Sequence, residues 1–77
     1  MRYLAEISNG VYIESDELKA VYRAARREVR DGAFYDRMTT KAKIVDTYTK
    51  TTVAYLTGYY TDPNILGRYV VMCMRRV

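Results

Sequence analysis

Short apolar-rich runs open the chain, Tyr3 to Ile7 and Val11 to Glu14, on either side of Asn9-Gly10. Asn-Gly supplies the positive φ angles that a tight type I′ turn needs, so the pattern predicts a β-hairpin. The period then changes. Leu18, Val21, Tyr22, Ala25 and Val29 recur at spacings of three and four, which makes one apolar stripe on a helix. Ser15 reads as its N-cap, and Asp16 and Glu17 as negative charge in its first turn. Gly32 reads as its C-terminal stop, so the helix is expected over 16–31.

Beyond the helix the chain turns threonine-rich, with eight threonines between Thr39 and Thr61 among Ile44, Val45, Val53, Leu56 and several tyrosines. Such residues favour a pleated surface. Strands are expected at 33–38, 41–48 and 53–60, with a turn at Thr49 to Thr52. Val45, Tyr48, Thr52, Tyr55 and Tyr59 also fall near helical spacing; the threonine density decides for strand. Thr61-Asp62-Pro63-Asn64 is turn chemistry, and Ile65 to Gly67 lead into a last strand over 68–75. That strand is apolar on both faces, with Val71 and Cys73 on one and Val70, Met72 and Met74 on the other. Such a run suits a strand central in the sheet or sealed by another subunit. The order expected is β-β-α-β-β-β-β. This is an α+β class, one amphipathic helix on a small, mainly antiparallel sheet, and one domain over 1–77.

At 77 residues, with 49% hydrophobic and 29% charged residues, the chain has an ordinary globular composition and room for one core only. Domains of this size often gain stability from disulfides, metals or self-association. Cys73 is the only cysteine and there is no histidine, so an internal disulfide is excluded and a zinc site lacks its ligands. That leaves self-association, and a homo-oligomer is expected. Cys73, inside the apolar run Tyr69 to Met74, reads as a small buried thiol, and one unpaired cysteine fits a reducing compartment. Glu6 interrupts the N-terminus before any signal-like stretch forms, and no run approaches the ~20 apolar residues of a membrane span. A soluble, cytoplasmic protein without a membrane role is the expectation.

The net charge of +4 changes the picture because of where it sits. At 100° per residue, Lys19, Arg23, Arg26, Arg27 and Arg30 share an arc of about 100°, centred roughly 120° from the apolar stripe. Lys19/Arg23, Arg23/Arg27 and Arg26/Arg30 are like-charge pairs four apart, each costing a helix a few tenths of a kcal/mol. Only Asp16/Lys19 and Arg27/Asp31 offset them locally. Two readings stand. The stripe meets an anionic partner, or it is a solvated face that complements the helix macrodipole and pairs with Glu6, Glu14 or Asp36. Repetition of one sign, where mixed signs would be more stable, favours the partner.

Nine tyrosines, one phenylalanine and no tryptophan make a skewed aromatic set. Tyrosine joins a stacking face to a polar tip and suits interfaces and nucleobase platforms alike. Tyr22 belongs to the core stripe, and Tyr3, Tyr12, Tyr55 and Tyr69 read as sheet core. Tyr35, Tyr48, Tyr59 and Tyr60 are the interface candidates. Arg75 and Arg76 either form a solvated tail or extend the basic surface, should the strand end lie beside the helix.

Catalytic constellations are absent from the sequence. It holds no histidine, one cysteine, isolated glycines at 10, 32, 58 and 67, and no paired carboxylates around Asp46 or Asp62. A non-enzymatic protein with no cofactor and no metal is expected. In size, element order and composition the chain resembles small phage-encoded takeover proteins, among them anti-CRISPR and host-polymerase inhibitors. The resemblance implies action by occluding a nucleic-acid-binding surface on a host machine, in the host cytoplasm. Many such inhibitors are acidic DNA mimics. This basic chain departs from them, and its counterpart role would be to touch nucleic acid within a nucleoprotein complex or an acidic patch on a protein target. The alternative is a homo-oligomeric assembly protein with no nucleic-acid role.

Overall fold

The computed structural model describes residues 1–77 as β1 (Tyr3–Ile7), β2 (Tyr12–Ser15), α1 (Leu18–Tyr35), β3 (Thr40–Asp46), β4 (Thr51–Tyr60), the single turn α2 (Pro63–Leu66) and β5 (Val70–Arg76). The strands form one antiparallel sheet in the order β2-β1-β3-β4-β5. The α+β class expected from the sequence is the class observed. One face of the sheet packs on α1, and alternation along each strand selects the buried set. Ala5 and Ile7, Ala42 and Ile44, and Ala54 and Leu56 point inward against Val21, Ala25 and Val29. Leu18 and Tyr22, the remaining members of the apolar stripe, pack at the rim of this cluster.

Alanine and glycine positions in this core let the helix lie close to the sheet. A Cβ on Gly58 of β4 would stand 2.8 Å from Val29 Cγ1, 2.9 Å from Met72 Sδ and 3.2 Å from the Val29 carbonyl oxygen. A Cβ on Gly32 would stand 2.6 Å from Thr40 Oγ1 on β3. Gly58 lets the helix backbone approach the sheet at Val29, and Gly32 makes room for the Thr40 side chain. The helix lies over β1, β3 and β4 and only grazes β5.

Gly32 is therefore not the expected helix stop. It is buried inside α1, which runs on to Tyr35, so the strand expected at 33–38 does not exist and the sheet has one strand fewer than predicted. The left-handed position that ends the helix falls at Arg37, with φ 52°. Helix entry differs as well. Ser15 Oγ accepts from the Glu17 amide before the helix begins, and Asp16 and Glu17 precede its first turn. In the hairpin Gly10 alone takes positive φ, at 90°, while Asn9 Oδ1 accepts from the Val11 amide. The turn is therefore not type I′, which needs positive φ at both central residues.

The other departures lie in β5. It is an edge strand, not a central one, and Cys73 and Met74 are exposed instead of buried. Tyr12, Tyr55 and Tyr69, read as sheet core, are exposed too. Residues Pro63–Leu66 form a helical turn that Asp62 caps through the Asn64 amide. No helix is long and apolar enough to cross a membrane.

At the far end of the sheet, Arg2 grips Asp46 with a bidentate pair, Nη2 to Oδ2 at 2.9 Å and Nε to Oδ1 at 3.2 Å. Asp46 is buried at the end of β3 and also accepts from the Tyr48 amide. The hydrogen bond to Arg2 holds its carboxyl below the usual carboxylate range. Because the folded form is the stronger acid, this pair stabilises the protein above the carboxylate range. That contribution is lost as pH falls through it.

Two outcomes follow from this packing. Gly58→Ala should destabilise the fold by about 1–3 kcal/mol in urea denaturation, because stiff Val29 and its carbonyl cannot both retreat. Asp46→Asn should remove part of the acid-induced loss of stability, visible as a flatter melting temperature below the ordinary carboxylate range.

Candidate anion-binding groove

The stripe on α1 faces β5, the strand the helix does not cover. Lys19, Tyr22, Arg23, Arg26, Arg27 and Arg30 line an open groove of about 470 Å³ with Met72 of β5 at its floor. The structure thus brings together all five basic residues singled out in the sequence, and each is exposed. Their apolar neighbours are Tyr22, half-buried, and Met72, which seats its thioether over Gly58. Long basic side chains can rest their stems on this floor and keep their charged heads in water.

Two accounts of the stripe, the macrodipole and cross-element pairing, fail on geometry, which leaves a plain solvated face as the alternative to an anionic partner. Macrodipole stabilisation acts within the last turn of a helix. The last turn of α1 holds no basic residue, and Arg30 lies a full turn before its end at Tyr35. Cross-element neutralisation fails as well. The two ion pairs in the protein are Arg2–Asp46 and a long contact of 3.8 Å between Arg30 and its neighbour Asp31. Lys19, Arg23, Arg26 and Arg27 have no carboxylate within ion-pairing distance, and the expected Asp16/Lys19 and Arg27/Asp31 pairs do not form. Glu6 and Glu14 cannot serve, because they alternate with inward residues and lie on the sheet face away from α1. Four cations within three helical turns are left without counterions from the chain itself.

The tail arginines divide between the faces. Arg76 pairs with buried Ala54, so it leans to the helix side of β5, the side of the groove. Arg75 pairs with Tyr55 on the opposite face, its guanidinium 4.8 Å from the ring centroid. The four tyrosine candidates do not converge. Tyr48 sits under Arg2 at one end of the sheet, while Tyr35 and Tyr60 belong to an aromatic group with Phe34 and Tyr69 at the other. Arg37 caps Tyr60 at 4.9 Å. Tyr59 is on the uncovered sheet face. Tyr35, Tyr48 and Tyr59 are exposed, as expected of interface candidates, and Tyr60 is half-buried.

A second charged surface escaped the sequence reading. One row across the uncovered face reads Tyr12, Glu6, Lys43, Tyr55, Arg75, each paired with the next in strand register. Strand alternation could have revealed it, but only with the strand order known. Here the signs are mixed and Arg75 lies over the Tyr55 ring, whereas the groove carries one sign only. Met72 also escaped, since its role depends on β5 lying beside α1. No group of histidine, cysteine or carboxylate side chains is placed to hold a metal ion.

Comparison of the chain with protein-family models, with curated proteins and with solved structures gives no match.

The unpaired stripe has a measurable cost. Arg23→Glu would replace two like-charge pairs, with Lys19 and with Arg27, by two opposite pairs. It should raise stability by several tenths of a kcal/mol in chemical denaturation at low salt, with the gain shrinking as salt is added.

Proposed function

We propose that the protein is a non-enzymatic binding protein that uses the α1 groove to engage the phosphate backbone of a nucleic acid, free or within a nucleoprotein complex. One observation carries this reading: Lys19, Arg23, Arg26 and Arg27 line one groove with no carboxylate partner anywhere in the chain. A stripe retained at a cost to helix stability, and answered by neither the macrodipole nor an ion pair, asks for anions from outside. Phosphates spaced along a strand match cations spaced along a helix. Arginine suits them because its planar fork donates to two phosphate oxygens at once.

Mechanistically, each phosphate entering the groove releases condensed counterions, so affinity falls steeply with salt. Tyr22 and Met72 between the cations add apolar contact to sugars. Such a protein acts by covering: bound to the nucleic acid of a larger machine, it blocks or alters access. An inhibitor or accessory factor of a host machine, as the resemblance to phage takeover proteins implies, is the form this function takes.

Fluorescence anisotropy with labelled single- and double-stranded DNA and RNA tests this. Wild-type protein should bind at low salt, with log affinity falling linearly against log salt. Arg23→Glu/Arg27→Glu should lose at least tenfold in affinity with an unchanged circular dichroism spectrum, since both side chains are exposed. Binding to none of these polymers at low salt would refute the direct nucleic-acid reading.

A further inference from the structure

The sheet has two edges, and they are built differently. The β2 edge is four residues long, carries Glu14 and is followed at once by Asp16 and Glu17. Short length and charge are the means by which proteins keep an edge from pairing. The β5 edge is longer, and its only charges, Arg75 and Arg76, stand together at its C-terminal end. Seven residues, Val70 to Arg76, present one side of their backbone unpaired, and the first five are Val-Val-Met-Cys-Met. No proline, bulge or inward-pointing charge interrupts them. The helix hardly reaches this strand, and Cys73 and Met74 are exposed.

We propose that β5 pairs with β5 of a second copy of this chain, antiparallel about a two-fold axis at Cys73, to make one continuous ten-stranded sheet. This register pairs the whole strand with itself: Val70 with Arg76, Val71 with Arg75, Met72 with Met74, and Cys73 with Cys73. It sets no arginine opposite an arginine, and it stacks the methionines of both copies on the helix side, where each copy leaves them half-covered. A two-fold edge pairing is closed, so it removes the open edge without building a fibre. A copy of this chain is favoured over a foreign strand because this register keeps the arginines of the two copies from facing each other and pairs the apolar centre, Met72 to Met74, with itself.

The pairing also joins the two grooves. Each α1 lies over β1, β3 and β4, centred on β3, so the helices stand about five strand spacings apart, on the order of 24 Å. Their basic stripes flank one trough floored by four methionines. The pairing itself does not depend on the phosphate reading, and its test is made without nucleic acid.

Light scattering coupled to size exclusion, on the full chain with reductant at tens of micromolar, should give twice the monomer mass of 9.0 kDa. A monomer throughout that range overturns the inference. Cys73→Lys places a charge at the two-fold on an exposed position, and should give a folded monomer by circular dichroism; a folded dimer would place the contact elsewhere. If that variant does not fold, the wild-type protein decides. A short thiol-specific bifunctional crosslinker should join Cys73 to Cys73 within the dimer, and its failure to do so in a protein of dimeric mass overturns the register.

Discussion

The close approach of α1 to the sheet governs the rest of the molecule. Alanines at 5, 25, 42 and 54, with glycines at 32 and 58, remove the side-chain volume that would hold the layers apart. What these residues give up in buried area per side chain they recover in backbone proximity. Val29 can reach Gly58, and Thr40 can reach Gly32, only because nothing stands between them. The helix, centred over β1, β3 and β4, leaves β5 nearly uncovered. The last strand is left standing beside the helix, and the space between them is the groove.

The electrostatics follow from that placement. The apolar stripe of α1 must face the core, which fixes the rotation of the helix, and rotation sends Lys19, Arg23, Arg26, Arg27 and Arg30 toward the gap beside β5. The carboxylates of the hairpin, Glu6 and Glu14, are committed by strand alternation to the other face. The one well-paired carboxylate, Asp46, serves Arg2 at the end of the sheet. The chain separates its charges by geometry: the same register that builds the core denies the stripe its internal partners.

How far the sequence could be read depended on whether a feature is local. The helix stripe and its basic arc are properties of one segment, and both stand as periodicity placed them. The first hairpin and the strands around 41–48 and 53–60 were legible for the same reason, since alternation and turn residues lie within a few positions of each other. The errors fall where the deciding partner is distant. Gly32 looks like a stop until Thr40 is known to pack against it. The run at 70–74 looks like a buried central strand until the order β2-β1-β3-β4-β5 leaves it at the edge, with Cys73 exposed. The tyrosines divide in the same way, because a ring's role as a cap on Arg2 or beside Phe34 depends on chain brought in from elsewhere.

The central claim is that phosphate enters the groove between α1 and β5. It is tested most directly by nuclear magnetic resonance, following assigned backbone amide, arginine Nε and methionine methyl signals while a short oligonucleotide is titrated into the protein. The account predicts that shifts concentrate at Arg23, Arg26, Arg27, Arg30 and Met72, reverse on adding salt, and leave Tyr55 and Arg75 unmoved. Shifts confined to Lys41, Lys43, Tyr55 and Arg75 on the uncovered sheet face, or none at all, would contradict it.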